Sequence, residues 1–230
     1  MLDYFNHSRN DRFGNTQIKI VESLLSIFLN KKILIYGSGK SGLSTLNFLK
    51  NKSEVFLHDD FKRNSTKLTT RRFIIKNQFD FIIISPGIDI NKCKLSWFLK
   101  KNLHKIYTDL DVFYSFYRND CISITGTNGK STTCQLLYEI LLKHNYDVKL
   151  VGNIGRPILS VKDVKSKTIF VVEASSYQLE YSKIFRSKYA AILNISPDHL
   201  ERHKTINNYV RAKFKILNND LKNSLGFIKK

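Results

Sequence analysis

The residues best placed to do chemistry are 125–132, which read Thr-Gly-Thr-Asn-Gly-Lys-Ser-Thr. A short β-rich stretch leads into the turn that holds Gly126 and Gly129. An apolar-periodic run to about Lys143 leaves it. Strand, glycine turn and helix in that order can cradle an anion. The glycines let the backbone curl inward, so that amide N–H groups and the positive end of the helix face a phosphate. Lys130 adds a cation. Ser131 or Thr132 adds a hydroxyl of the kind that sits on Mg²⁺ beside a triphosphate. The usual G-x-x-x-x-G-K-[ST] spacing would need glycine at position 124, where Ile124 stands, so this loop is shorter. The plain alternative is a tight turn capped by Ser or Thr with Lys130 in solvent.

Three further acidic or basic side chains fall at the ends of expected strands. Residues 168–172 form a buried apolar run that ends at Glu173, placed to bind Mg²⁺ or simply to start the next helix. Residues 189–194 run into Ser-Pro-Asp-His, which leaves Asp198 and His199 available to metal or phosphate. His203 reads as a helix-surface histidine. Lys213 lies mid-way along a helical stretch, 207–217, and by spacing alone is a solvated lysine.

A second glycine fingerprint lies upstream. Residues 31–37 are a short strand bounded by charge. Gly37-Ser38-Gly39-Lys40-Ser41-Gly42 follows at once, then a run with Leu43, Leu46 and Leu49 spaced by three. Residues 54–58 read as a second strand, ending at Asp59 and Asp60. This is the opening of a nucleotide-binding βαβ unit. Gly37 supplies the turn, Gly39 close approach to a diphosphate, and Gly42 close helix–strand packing. Asp59 lies where a ribose- or base-binding acid is expected. Residues 79–84 form another buried strand, running into Ser85, Pro86 and Gly87 at the edge where such sheets bind ligands.

The elements that must position these groups alternate between β and α. They predict two α/β units, a Rossmann-like one and a three-layer parallel one, with a boundary near 118–120. Residues 95–103 can form a helix, with Trp97 in the core. Residues 61–78 read as loop and helix. Residues 147–151 read as a strand and 152–157 as its ligand-side loop, and Phe227 and Ile228 hint at a last strand. Residues 17–29 place Ile18, Val21, Leu25 and Phe28 on one helical face, and 1–16 read as loose.

Composition narrows the classes. The chain has 230 residues, 42% of them apolar, enough for real cores. Net charge is +19, but the basic residues are spread along the chain in no single stripe. The expectation is a solvated basic surface that favours anionic substrates, with no nucleic acid bound. Cys93, Cys121 and Cys134 have no metal-ligand spacing, so free thiols in a reducing compartment are expected. The run at 17–29 is too short to span a bilayer and lacks a cleavage site, so neither a transmembrane nor a targeting segment is expected.

At residues 125–132 the sequence resembles the ATP loop of the Mur ligases and their folylpolyglutamate synthase relatives. The resemblance continues through 152–155 (Gly-Asn-Ile-Gly), 173–180 (Glu-Ala-Ser-Ser-Tyr-Gln-Leu-Glu) and 194–203 (Asn-Ile-Ser-Pro-Asp-His-Leu-Glu-Arg-His), and covers about 31–220. The form of 173–180 looks like the D-glutamate-adding branch. The resemblance implies an N-terminal Rossmann-like domain over 31–118 for a UDP-linked substrate, after an extension over 1–30. It implies a partial P-loop-type ATPase domain over 119–230, with the C-terminal amino-acid-binding domain absent and the fold truncated.

It further implies ATP at Gly126, Thr127, Asn128, Gly129, Lys130, Ser131 and Thr132. The UDP-substrate falls to Gly37, Ser38, Gly39, Lys40, Ser41, Gly42, Asp59, Ser85, Pro86, Gly87 and Asn153. Mg²⁺ falls to Ser131, Glu173, His199 and a carbamylated Lys213, with Lys130, His199 and Lys213 catalytic. Family members follow the acid at Asp59 with Thr-Arg, where this chain has Asp60 and Phe61. The implied activity is ATP-dependent addition of D-glutamate to UDP-N-acetylmuramoyl-L-alanine through an acyl phosphate, by a cytoplasmic monomer. Another Mur or folylpolyglutamate-type ligase, or an inactive nucleotide-binding fragment, are the alternatives.

Overall fold

Among the described residues, four short parallel strands carry the first half of the chain and five carry the second. The computed structural model describes residues 26–62, 68–218 and 224–228. The first sheet contains Lys32–Tyr36 (β1), Glu54–His58 (β2), Phe81–Ile84 (β3) and Ile106–Tyr107 (β4), in the order β2-β1-β3-β4. The strand Leu34, Ile35 and Tyr36 is wholly buried, as a strand covered on both faces must be. Lys40–Leu49 (α1) is the crossover from β1 to β2. Arg71–Lys76 (α2), Ser96–Lys101 (α3) and Asp109–Phe116 (α4) follow. The start of α4 is fixed by a capping box in which Thr108 and Asp111 satisfy each other's backbone amides.

The second sheet contains Cys121–Thr125 (β5), Val148–Gly152 (β6), Ile169–Glu173 (β7), Tyr189–Ile192 (β8) and Leu225–Ile228 (β9), in the order β6-β7-β5-β8-β9. Every pairing is parallel. Lys130–Lys143 (α5), Ser176–Tyr181 (α6), Leu200–His203 (α7) and Ile206–Phe214 (α8) connect and cover it. Both expected α/β layers are therefore present, and the strands fall where apolar runs meet turn residues.

The two sheets share a core. Phe113 of α4 meets Phe170 of β7 edge-on, with ring centroids 4.8 Å apart. Asp111 fixes the same junction. Its Oδ1 accepts from the Ser182 hydroxyl and from the amides of Lys183, Ile184 and Phe185, all at 2.9–3.0 Å. A buried carboxylate with that many donors is stable only because each is aimed at it.

Three expectations are corrected here. Trp97 is 55% exposed, because α3 turns Phe98 and Leu99 inward instead. His203 is buried against the Ser176 hydroxyl, 3.0 Å away, and burial pushes its ring pKa down. Lys213 is 1% exposed, because α8 presents that side to the phosphate-loop turn. The helix expected over 17–29 lies outside the described residues as far as 25. Of the rest, Phe28 is fully buried within a turn at 27–30. The loose segment at 1–16 also lies outside them. Among the described residues, no helix is long and apolar enough to cross a membrane. Cys121 and Cys134 are buried and Cys93 half-buried, all as free thiols. Burial and the nearby Glu173 carboxylate push the Cys134 thiol up to about 12, which leaves it inert at neutral pH.

Candidate active site

The phosphate loop leaves β5 at its carboxyl end and turns into α5 through two glycines with positive φ, Gly126 at 156° and Gly129 at 80°. Asn194, just past β8, braces the loop from the side. Its Oδ1 accepts from the amides of Thr127 and Asn128, at 3.2 and 2.9 Å, and its Nδ2 donates to the Asn128 carbonyl. Those two amides are thus engaged by protein. The first amides of α5, at Lys130, Ser131 and Thr132, have no acceptor within the helix and are the kind of donors that can meet an anion. Lys130 folds back on the loop, its Nζ donating to the carbonyls of Gly126 and Thr127 at 2.9 and 2.8 Å.

Glu173 joins this loop to its neighbour. Its Oε2 accepts from the Ser131 hydroxyl at 2.8 Å, and its Oε1 accepts from Asn153 Nδ2 at 2.8 Å. The strand end is drawn close because Gly152 has no side chain. A Cβ there would lie 2.3 Å from the Glu173 carbonyl oxygen. Ser131 and Glu173 are the hard oxygen ligands that Mg²⁺ takes alongside nucleotide phosphates and water, so these residues fit the ion.

Lys213 approaches from the other side and donates to the Gly126 carbonyl at 2.7 Å. Its Nζ stands 4.6 Å from the centre of the Tyr209 ring. Burial, and then the Lys130 ammonium, bring its amine down to about 8, against the pull of Asp198. His199 is exposed and takes a left-handed φ of 53° just before α7. Its ring tilts against Tyr177, centroids 4.9 Å apart, and Asp198 lies 3.4 Å from its Nε2. Among the described residues, no group of three or more His, Cys, Asp or Glu side chains is assembled to hold a metal. The structure therefore joins Ser131 to Glu173 and Lys213 to the loop, and leaves His199 outside both contacts.

A cleft of about 400 Å³ opens between the two sheets. Its first wall is Gly37, Ser38, Gly39, Lys40 and Ser41, with Asp59 and the turn Ser85, Pro86 and Gly87. Its second wall includes Asn153 and Gln178. Gly42 is not on this wall. It is steric, since a Cβ there would lie 1.9 Å from the Gly37 carbonyl oxygen. Asp59 is engaged by its own chain. Its Oδ2 accepts from the Ser38 amide and hydroxyl, and its Oδ1 from the amides of Phe61 and Lys62. Partial burial works to raise this carboxyl, but those four donors outweigh it and bring it down to about 2.

Two groups at the junction of the sheets, one lining this cleft and one bonded to the Pro86 carbonyl on it, went unread in the sequence. Gln178 donates to the buried Asp109 of α4 at 3.2 Å, across the junction of the sheets. Burial pushes Asp109 up, opposed by Gln178 and Ser41. Arg202 crosses the same junction. It pairs with Glu180 at 2.9 Å, lies over Tyr177 and donates to the Pro86 carbonyl at 2.7 Å. The partners are 69 and 116 residues away, so no local pattern could reveal either contact.

Residues 124–229 match the family model described as the Mur ligase middle domain. The chain belongs to the Mur ligase family. Among its relatives are two proteins named UDP-N-acetylmuramoylalanine--D-glutamate ligase. That of Caldicellulosiruptor saccharolyticus is 39% identical over 207 residues, which covers 82% of this chain and 46% of the relative. That of Rickettsia bellii is 36% identical over 215 residues, which covers 89% of this chain and 47% of the relative. The chain thus spans about half the length of these curated relatives. A solved structure, the UDP-N-acetylmuramate:L-alanyl-gamma-D-glutamyl-meso-diaminopimelate ligase of Neisseria meningitides, shares the fold. It has a TM-score of 0.52 at 13% identity and covers 86% of this chain and 71% of that one.

Proposed function

We propose that this chain forms the nucleotide-binding part of a cytoplasmic ATP-dependent ligase that adds D-glutamate to UDP-N-acetylmuramoyl-L-alanine in peptidoglycan precursor synthesis. The observation that carries the reading is the position of Glu173. One carboxylate accepts from Ser131 of the phosphate loop and from Asn153 of the inter-sheet cleft. The end of a triphosphate on that loop and the end of a substrate in that cleft would meet there. The D-glutamate specificity rests on the relatives' names and on the form of residues 173–180.

In this reading the Gly37–Gly39 turn and the start of α1 face the diphosphate of the UDP-linked substrate. Asn153 orients its carboxylate end toward Glu173. The amides of α5 and the Lys130 ammonium hold the ATP phosphates and offset charge on the transferring group. The substrate carboxylate attacks the γ-phosphate, ADP leaves, and an acyl phosphate forms. The amine of D-glutamate then displaces phosphate and loses a proton. No side-chain nucleophile is needed. Ser131 and Glu173 would hold Mg²⁺, with His199 and a carbamylated Lys213 as further ligands. The ion, when bound, supplies charge neutralisation at the phosphates. A buried amine brought down to about 8 is neutral often enough near neutral pH to take up CO₂.

Isothermal titration with ATP·Mg²⁺ and with UDP-N-acetylmuramoyl-L-alanine tests this. Both should bind, and Glu173→Gln should weaken ATP·Mg²⁺ selectively. Binding of neither ligand overturns the reading. Binding of both without phosphate release when D-glutamate is added assigns this chain a binding role only.

A further inference from the structure

Basic residues that the sequence scatters over 71–105 are gathered by the fold around one apolar patch, away from the cleft. Two hollows, of about 360 and 430 Å³, are lined by α2, α3 and the loops beside them. Ile75 of α2 and Trp97 of α3 line both hollows, and they are 47% and 55% exposed. The smaller hollow also reaches the buried Phe79, Ile82 and Phe98. A lone exposed apolar side chain is unremarkable, but an indole and an aliphatic chain over apolar hollows form a patch.

The charge around that patch has one sign. Arg71, Arg72, Lys76 and Lys94 line the larger hollow, and Lys101 and Lys105 the smaller. Among the described residues, no Asp or Glu lines either. Lys94 Nζ donates to the Asp60 carbonyl at 3.0 Å, and Lys105 Nζ to the Phe79 carbonyl at 2.9 Å. The other four cations are exposed, and among the described residues none pairs with a carboxylate. The patch also sits at the far end of its sheet from the cleft. Residues 77–79 lead into β3, and Asn102 and Lys105 into β4, at the amino ends of parallel strands. The cleft turns at 37–41 and 85–87 follow the carboxyl ends of β1 and β3. A surface that covers the patch therefore leaves the cleft open.

We propose that this face docks peripherally on an anionic lipid bilayer. Trp97 and Ile75 seat among the headgroups, and the surrounding lysines and arginines meet the lipid phosphates. Trp suits that depth because its ring is apolar and its N–H is polar. Lys and Arg lay their aliphatic stems along apolar surface and keep their charged ends at the phosphates. A nucleic acid would match the charge but would leave Ile75 and the apolar hollows uncovered. The inference does not depend on what the cleft binds.

Trp97 is the one tryptophan of the chain, so its emission reports this face alone. The test titrates the whole chain with vesicles of phosphatidylglycerol and phosphatidylcholine in equal parts. They should shift the emission to the blue and carry the chain down on sedimentation. Phosphatidylcholine alone should do neither, and high salt should release the chain. Arg72→Gln combined with Lys101→Gln should keep its Tm and weaken partitioning by about fivefold for each charge removed. Trp97→Ala, followed by sedimentation, should weaken it as well. Unmoved emission overturns the proposal even if the chain sediments, because the contact then lies on another face. Equal binding to neutral vesicles overturns it, as does undiminished binding by the charge variant. A DNA duplex or an acidic peptide that shifts the emission and displaces the vesicles overturns it in favour of that partner.

Discussion

Lys213 donates its ammonium to the Gly126 carbonyl across 2.7 Å, inside a region where the lysine is 1% exposed. A buried cation beside a second cation, Lys130, is an unfavourable arrangement that the fold retains. Its amine sits at about 8 in the folded chain and near 10.5 when unfolded. Between those values the unfolded chain binds more protons, so this group makes stability rise with pH across that window. Below about 8 the full burial penalty applies. Lys213→Met should therefore be more stable than the parent at pH 7, and should lose part of the parent's gain between pH 8 and 10.5. Urea midpoints of the two proteins at pH 7 and 10 measure this; parallel pH slopes would contradict it.

Lys130 bonds only to carbonyls of its own loop, Gly126 and Thr127. Those bonds are to part-buried backbone of the adjoining turn and contribute on the order of 1 kcal/mol each. Lys130→Ala should reduce ATP·Mg²⁺ affinity or phosphate release by about 10²–10³-fold, the usual loss for a charge-stabilising donor. Thermal unfolding should change little. A variant that binds ATP normally would leave Lys130 as a structural strap.

Three glycines separate packing from binding. Gly42→Ala puts a Cβ 1.9 Å from the Gly37 carbonyl, and Gly152→Ala puts one 2.3 Å from the Glu173 carbonyl at a φ of 110°. Each should destabilise by about 2 kcal/mol or more, a fall of roughly 4–8 °C in Tm for a chain of this size. Gly39→Ala meets nothing within 4 Å and lines the cleft. It should keep its Tm and lose affinity for UDP. Calorimetry and titration on the three variants give the pattern, and equal Tm values for all three would refute it.

Glu173→Gln keeps the shape at the meeting point of Ser131 and Asn153 while removing the negative charge. The Mg²⁺ dependence of ATP binding should fall by about tenfold or more, because one charge-paired ligand is lost. Affinity for the UDP-linked substrate should stay within about twofold, the range of a conserved neutral hydrogen bond. Titrations at two Mg²⁺ concentrations distinguish the two effects. Loss of both affinities together would instead make Glu173 a structural residue.

The alternation of strands and helices was legible because its signals are local. Apolar runs, glycine turns and strand-end acids mark β1, β2, β5 and β7 within a residue or two. The strand-to-helix turn at Gly126–Lys130 and the close approach at Gly42 were legible for the same reason. What failed depends on distant partners. Nothing near Lys213 tells that α8 turns it onto a carbonyl 87 positions upstream. Nothing near Trp97 tells that Phe98 takes the inward place. Asp59 carried the right signal for a ligand-reading acid. Its saturation by Ser38 and the turn amides appears only once the loops are folded together.

The bonds that gather the Ser182 hydroxyl and the next three amides onto one oxygen of Asp111 have an effect beyond holding the chain together. The two walls of the cleft belong to different sheets, so the gap between them is set wherever the sheets are fastened. That carboxylate works like the locking screw of a caliper. The room between the walls is set in part by an anchorage outside the cleft's lining, so tightening or loosening it would alter the size of molecule admitted while every lining side chain stayed the same.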